Sequence, residues 1–324
     1  MISLLHIIKL MRPINLLIVA ATMYVLRHFL IAPYIDSQCL GMKLRLSEFD
    51  FFLSVIVVVL LTAAGNIIND YFDVKVDLIN KPDRVVVGKT VKRRVAMALH
   101  QSFNIIGVLL SVYLSFRYNV WWPVVIPISI ATLLWFYSPI FKKQVFSGNL
   151  VVAMCVSLVP IWAGAYEIPS IIKYYVDIHQ NAQLLQTNLW IIIGAYALFA
   201  FLLSLSREAL KDLEDLKGDK VGQYHTMPIV KGESFTRIYA AFMMLLCLGA
   251  VSLAFFRVGL HPSTDINAAI ALAACVLIPG SLTILISIFA RKKSHYSIAS
   301  LLAKTTIAGG LVLCVLAGNY LWSC

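Results

Sequence analysis

Apolar stretches long enough to cross a bilayer, about 17–25 residues each, recur along almost the whole chain. They fall near 14–33, 50–68, 96–116, 120–138, 147–166, 188–206, 236–256, 267–290 and 298–321. The runs are continuous and not alternating, which predicts helices and argues against barrel strands. With 60% hydrophobic and 13% charged residues and a mean hydropathy of +0.84, the 324-residue chain has too little polar surface for a soluble domain. The expected fold is all-α, an integral membrane bundle of nine transmembrane helices forming one domain over 1–324. Only Arg117, Tyr118 and Asn119 separate the third and fourth runs. No small-residue cleavage site follows the first run, so it reads as a span and not as a signal peptide. The six cysteines are scattered, mostly within spans and without a Cys-x-x-Cys pair, which predicts packing roles.

The net charge of +11 follows from topology, without a nucleic-acid partner. Twenty of the 27 Lys and Arg fall on the side of the N-terminus and the even-numbered loops, and six fall on the other. The positive-inside rule places the N-terminus and those loops in the cytoplasm, in a protein of the cell inner membrane.

Two of the cytoplasmic segments are acidic as well as basic. Asp70, Asp73 and Asp77 follow the second run, and Asp212, Asp215 and Asp219 follow the sixth. Both sets have spacings of three and then four, 142 positions apart, and each is followed by Pro and then Gly. The repetition suggests that helices 1–4 and 5–8 are copies of one plan with a ninth helix appended, and functional sites often lie at such repeat interfaces. On a helix these spacings keep side chains on one face. Asn66 would extend the first stripe and Ser204 and Glu208 the second, while Glu214 falls off it. A single Asp-x-x-Asp beyond a span is most simply a solvated helix end, and negative charge at a helix C-terminus opposes the macrodipole. Two matched copies on one membrane side point instead to a shared site for Mg²⁺, which binds carboxylates together with substrate phosphate oxygens.

Basic residues suited to a diphosphate lie close by: Arg84, Arg207 and Lys211 beside the acids, and Lys142 and Lys143 in "FYSPIFKK" with Tyr137 and Ser138. Each has an alternative role in orientation or at lipid headgroups; Lys142 with Tyr137 is the pair singled out for the site.

At these residues the sequence resembles the UbiA superfamily of intramembrane prenyltransferases. "NDYFDVKVD" (Asn69 to Asp77) matches its NDxxDxxxD signature, "DLEDLKGD" (Asp212 to Asp219) its second acidic motif, and "YSPIFKK" its YSP-and-Lys segment. "MRPINLL" is similar to the entry of its first helix. The stretch "REALKDLEDLKGDKVGQYHTMPIVKG" is most similar to the digeranylgeranylglyceryl phosphate synthase branch. The RTxxRP segment common in the 4-hydroxybenzoate and haem O branches is absent, its place taken by "INKPDRVVVG".

The resemblance implies a bundle with two Asp-rich cytoplasmic loops. Mg²⁺ would be held by Asp70, Asp73, Asp77, Asp212, Asp215 and Asp219. The diphosphate of a polyprenyl donor, expected to be geranylgeranyl, would be bound by Asn66, Asn69, Arg84, Arg207, Lys211 and Lys142. Asp70, Asp73, Asp212, Asp215, Lys142 and Tyr137 would carry the reaction. Ionisation of the allylic C–O bond would yield a carbocation, attacked by a lipid acceptor, geranylgeranylglyceryl phosphate, or alternatively by an aromatic quinone precursor. The spans would sheathe the prenyl tail among membrane lipids and exclude water. An ion-coupled transporter is the rival class, but its acids belong at the midplane and these cluster at one face.

Overall fold

Ser47 starts the first of two helices that set the architecture. Its hydroxyl accepts from the Asp50 amide at 3.0 Å, and Glu48 and Asp50 add negative charge to the first turn. The helix runs 33 residues, Glu48–Asn80, and stops where Lys81 precedes Pro82. The second, Ala182–Val221, has 40 residues and ends as Gln223 turns to a φ of +55°. At 1.5 Å per residue the two are about 50 and 60 Å long, against a hydrocarbon core of about 30 Å. Each can cross and still project its C-terminal turns, which carry the acids.

The acidic motifs therefore lie on helices and not on the expected Asp-rich loops. The cause is packing. Ile67, Ile68 and Val76 on the first helix and Leu210 and Leu213 on the second are buried, so each polar stripe is backed by an apolar face that keeps the backbone helical.

The computed structural model describes residues 4–38, 41–176, 182–257 and 266–321. Among them, eight helices are long and apolar enough to cross a bilayer: Pro13–Ser37, Glu48–Asn80, Arg93–Tyr118, Ser147–Tyr175, Gln183–Val221, Glu233–Phe256, Ile266–Phe289 and Lys293–Leu316. The segment expected as a fourth full-length span is a shorter helix, Trp122–Tyr137. Pro123 tightens its start into a 3₁₀ turn, and Pro139 lies two residues past its end. Nine full-length spans thus become eight and a short one. Exposed Leu109, Phe116, Leu245, Leu285 and Leu301 give the bundle an apolar outer surface, as an integral membrane protein requires. Cys155, Cys247, Cys275 and Cys314 are free, whereas Cys39 and Cys324 lie outside the described residues.

Two helices widen into single π-helical turns, Arg27–Ile31 and Ala273–Leu277, each two residues before a proline (Pro33, Pro279). A proline offers no amide to the carbonyl four residues back and crowds it, so the helix takes in an extra residue. For Pro279 that carbonyl belongs to Cys275, and it leans on Gly309 of the last helix, where a Cβ would sit 1.8 Å from it. Only glycine allows that approach.

At the end opposite the acids, Arg27 and Glu167 form a buried pair, 1% and 0% exposed, at 3.1 Å. Arg27 also donates to Glu48 at 2.8 Å and to the Leu46 carbonyl, and Glu167 accepts from the Arg45 and Leu46 amides. This network ties the first and second spans to the Ser147–Tyr175 helix. Arg27→Met strands the Glu167 charge and is expected to cost about 3–5 kcal/mol, read as a fall in melting temperature in detergent. An unchanged melting temperature would show that the pair does not hold the bundle together.

Candidate active site

The two acidic helix ends meet through Asn80. Its side-chain amide donates to the Asp215 carbonyl at 3.0 Å and its oxygen accepts from the Gly218 amide at 2.9 Å. Lys293, opening the last helix, donates to the Asn80 carbonyl at 2.9 Å. Gly218 permits the contact, since a Cβ there would lie 2.3 Å from Asn80 Nδ2. Lys81 reinforces it with ion pairs to Asp215 at 3.0 Å and Glu214 at 3.2 Å.

Beside this clamp opens a cavity of about 660 Å³. Asn66, Asn69 and Asp77 reach it from the first helix, and Arg207, Lys211, Asp212, Asp215 and Asp219 from the second. Tyr137 and Lys142 close a third side. Asp70 and Asp73 stand behind the wall, each ion-paired with a residue on it: Asp70 with Arg12, and Asp73 with Lys142. Lys142 also donates to Asn69 at 3.3 Å. The side chain of Arg84 lies outside the described residues. The structure thus gathers every other predicted site residue around one space.

Electrostatics fix the protonation of the cations. Burial alone would pull the Lys142 ammonium below an ordinary lysine, but the Asp73 carboxylate outweighs it and holds the group charged. Arg12 beside Asp70 and Lys81 beside Asp215 show the same balance. Tyr224 is pushed up to about 12 by burial and by the charge of Asp73, and stays a neutral phenol.

Asn149 donates to Asp212 at 3.0 Å, and Glu208 accepts from Arg207 at 2.7 Å and Lys211 at 2.9 Å. Asp77 and Asp219 have no ion pair among the described residues, and Asp73 Oδ1 is buried without a hydrogen-bond partner. No described group of three carboxylates, histidines or cysteines converges tightly enough to hold a metal alone. The acids come singly and in pairs on facing helices, with spare oxygens. That donor set fits Mg²⁺, which takes one or two carboxylates and completes its shell with phosphate and water.

From the charged end the cavity continues between Leu30, Val58, Ile130, Trp162, Phe199 and Leu311. Its shape and chemistry suit an amphiphile with an anionic head and an apolar tail. Asn80, Gly218, Asn149 and the partnership of Arg12 with Asp70 were not read from the sequence. Asn80 did carry a signal, since it extends the three-and-four spacing one step past Asp77. Gly218 carried another, as a glycine inside a helix with no turn to make.

The sequence profile of the UbiA prenyltransferase family matches residues 30–305. A digeranylgeranylglyceryl phosphate synthase of Methanosphaera stadtmanae is 31% identical over 57% of this chain and 59% of its own length. A second, from Methanothermobacter thermautotrophicus, is 30% identical over 63% of this chain and 65% of its own; the matches thus span less than two thirds of these relatives. In fold, a solved digeranylgeranylglyceryl phosphate synthase superposes with a TM-score of 0.61 over 98% of this chain and all of that one, at 22% identity. A UbiA homologue from Archaeoglobus fulgidus, bound to DMAPP and Mg²⁺, gives 0.54 over 95% of this chain and 98% of its own, at 15% identity. A profile match over most of the sequence, on a fold shared along nearly its whole length, makes this chain a member of the UbiA prenyltransferase family.

Proposed function

We propose that the protein transfers a geranylgeranyl group from its diphosphate to geranylgeranylglyceryl phosphate, in a Mg²⁺-dependent reaction inside the membrane. One observation carries this reading: a single cavity has both acidic motifs at one end and an apolar tunnel at the other. The names of the curated relatives support the acceptor, and the Mg²⁺ and DMAPP in the fold neighbour support the metal and the donor class.

In this reading Asp70, Asp73 and Asp77 with Asp212, Asp215 and Asp219 would hold the metal. Once bound, it would offset the charge that builds on the leaving diphosphate. Lys142, Arg12, Asn66 and Asn69 would grip diphosphate oxygens, with Arg84 assigned the same duty from the sequence; Arg207 and Lys211, expected there too, are instead engaged by Glu208 at 2.7 and 2.9 Å. Tyr137, at the base of the tunnel, would face the reacting carbon and lend its ring to the developing allylic cation. The apolar wall keeps water from that cation, so the acceptor hydroxyl is the nucleophile at hand. We read the chain as one domain, a repeat of helices 1–4 and 5–8 with a ninth appended, the short Trp122–Tyr137 helix completing nine crossings. The surplus of Lys and Arg supports a cytoplasmic N-terminus and a cytoplasmic mouth to the site.

The test is an acceptor screen with labelled geranylgeranyl diphosphate and the purified protein in lipid nanodiscs. Label is expected in geranylgeranylglyceryl phosphate, and chelating the divalent ion should stop its transfer. Label in an aromatic acid instead would move the protein to the quinone branch. Failure to release diphosphate with any acceptor would overturn the enzymatic reading.

A further inference from the structure

The cavity also holds a group of charges deeper than the acidic motifs, among them Arg207 and Lys211, which were expected from the sequence to serve the diphosphate. Lys304 lies within the last span and lines the cavity, yet among the described residues its ammonium has no hydrogen-bond or ion-pair partner. A lysine inside a membrane helix is costly unless it has work there. The charged groups that act on it most strongly are Arg207, Lys211, Arg12 and Glu208. Arg207 also lines the cavity, and its Nε is buried without a hydrogen-bond partner. Lys304 thus offers an unpaired cation to a space that Arg207, paired with Glu208 through Nη1, also lines.

Their depth separates them from the metal-binding acids. Arg207 lies five residues before Asp212 on the same helix, about 7.5 Å along the axis toward the apolar interior. Lys304 lies eleven residues beyond Lys293, which touches the clamp at Asn80, about 16 Å along its own helix. The ion pairs also fit an anion. Among the described residues Arg207 and Lys211 both pair with Glu208 and Lys304 pairs with none, so three cations share one ion-paired carboxylate. That excess suits a phosphate monoester, which carries about −1.5 to −2 near neutral pH.

We infer that Lys304 and Arg207 form a phosphate-recognition site for the acceptor, distinct from the site of the donor's diphosphate. The inference rests on the proposed reaction and assigns the group that tells a phosphate-bearing acceptor from an uncharged one. A glyceryl phosphate anchored there would hold its free hydroxyl toward the acidic end, where the prenyl carbon is released. Lys211 shares Glu208 with Arg207 and would help hold that carboxylate, leaving the other guanidinium nitrogens of Arg207 for the phosphate.

The test compares wild type, Lys304→Met and Lys304→Arg as full-length protein in nanodiscs. Losing a charge-assisted contact to phosphate should raise the KM for geranylgeranylglyceryl phosphate about tenfold or more in Lys304→Met. The KM for geranylgeranyl diphosphate should stay within about twofold, and Lys304→Arg should recover most of the loss. Melting temperature gives a readout free of turnover. Geranylgeranylglyceryl phosphate should stabilise wild type, while unphosphorylated geranylgeranylglycerol and inorganic phosphate alone should not. Lys304→Met should lose that response but keep its response to the donor with Mg²⁺. An unchanged acceptor KM, or an equal rise in both KM values, overturns the inference and leaves the proposed reaction standing. A wild type that neither binds nor prenylates the phosphate acceptor overturns both.

Discussion

Asp212→Asn is expected to slow prenyl transfer by about a hundred- to a thousand-fold, the usual effect of removing one preorganised group that stabilises transition-state charge. The substitution keeps the shape of the side chain, and the Asn149 amide, 3.0 Å away, can still donate to the new carboxamide oxygen. Asp73→Asn should act similarly from the facing helix, where one oxygen pairs with Lys142 and the other is buried without a partner. Both variants should raise the Mg²⁺ concentration needed for half-maximal rate; Asp212→Asn should melt close to wild type, whereas Asp73→Asn, which leaves the Lys142 charge unpaired, should melt lower. Full activity in a folded Asp212→Asn protein would remove the second acidic motif from the reaction.

Gly218→Ala should be nearly as damaging, by a different route. The new Cβ would lie 2.3 Å from Asn80 Nδ2, 2.6 Å from Cγ and 2.8 Å from Oδ1, so turning the amide about Cβ–Cγ does not relieve it. Either the Asn80 side chain leaves, giving up its bonds to the Gly218 amide and the Asp215 carbonyl, or the two helix ends separate. Overpacking of this kind costs about 1–3 kcal/mol, and separation also spreads the acids on facing helices. Activity should fall by about tenfold or more, with a lower melting temperature. Asn80→Ala in the same chain removes the clash, so the double variant should be more active than Gly218→Ala alone. Equal or lower activity in the double variant would show that the clamp is not what Gly218 serves.

The acidic stripes and Lys142 were legible in the sequence because charge in an apolar chain is expensive and stands out against it. Helical periodicity then put each set of carboxylates on one helix face. The continuation of both helices through their acids was not legible, because the apolar residues backing the stripes, Ile67, Val76 and Leu213 among them, resemble the end of a span as much as a buried face. The length of the fourth run was overestimated for a related reason. Hydropathy over 120–138 ignores Pro123 and Pro139, which shorten the helix at both ends. Arg12 with Asp70, 58 residues apart, and Asn80 with Gly218, 138 apart, are tertiary pairings that no local pattern encodes.

The ion pairs Arg12–Asp70, Lys142–Asp73 and Lys81–Asp215 have a thermodynamic consequence. A divalent cation that takes any of these three carboxylates alone must displace a lysine or arginine from it. A diphosphate arriving alone must draw the same cations away and leave the carboxylates exposed to one another. Arriving together, each ligand liberates the protein groups that the other requires. By linkage, the factor by which the metal tightens the diphosphate equals the factor by which the diphosphate tightens the metal. The protein's internal neutrality thus makes the two ligands heterotropic partners, with positive cooperativity written into three salt bridges.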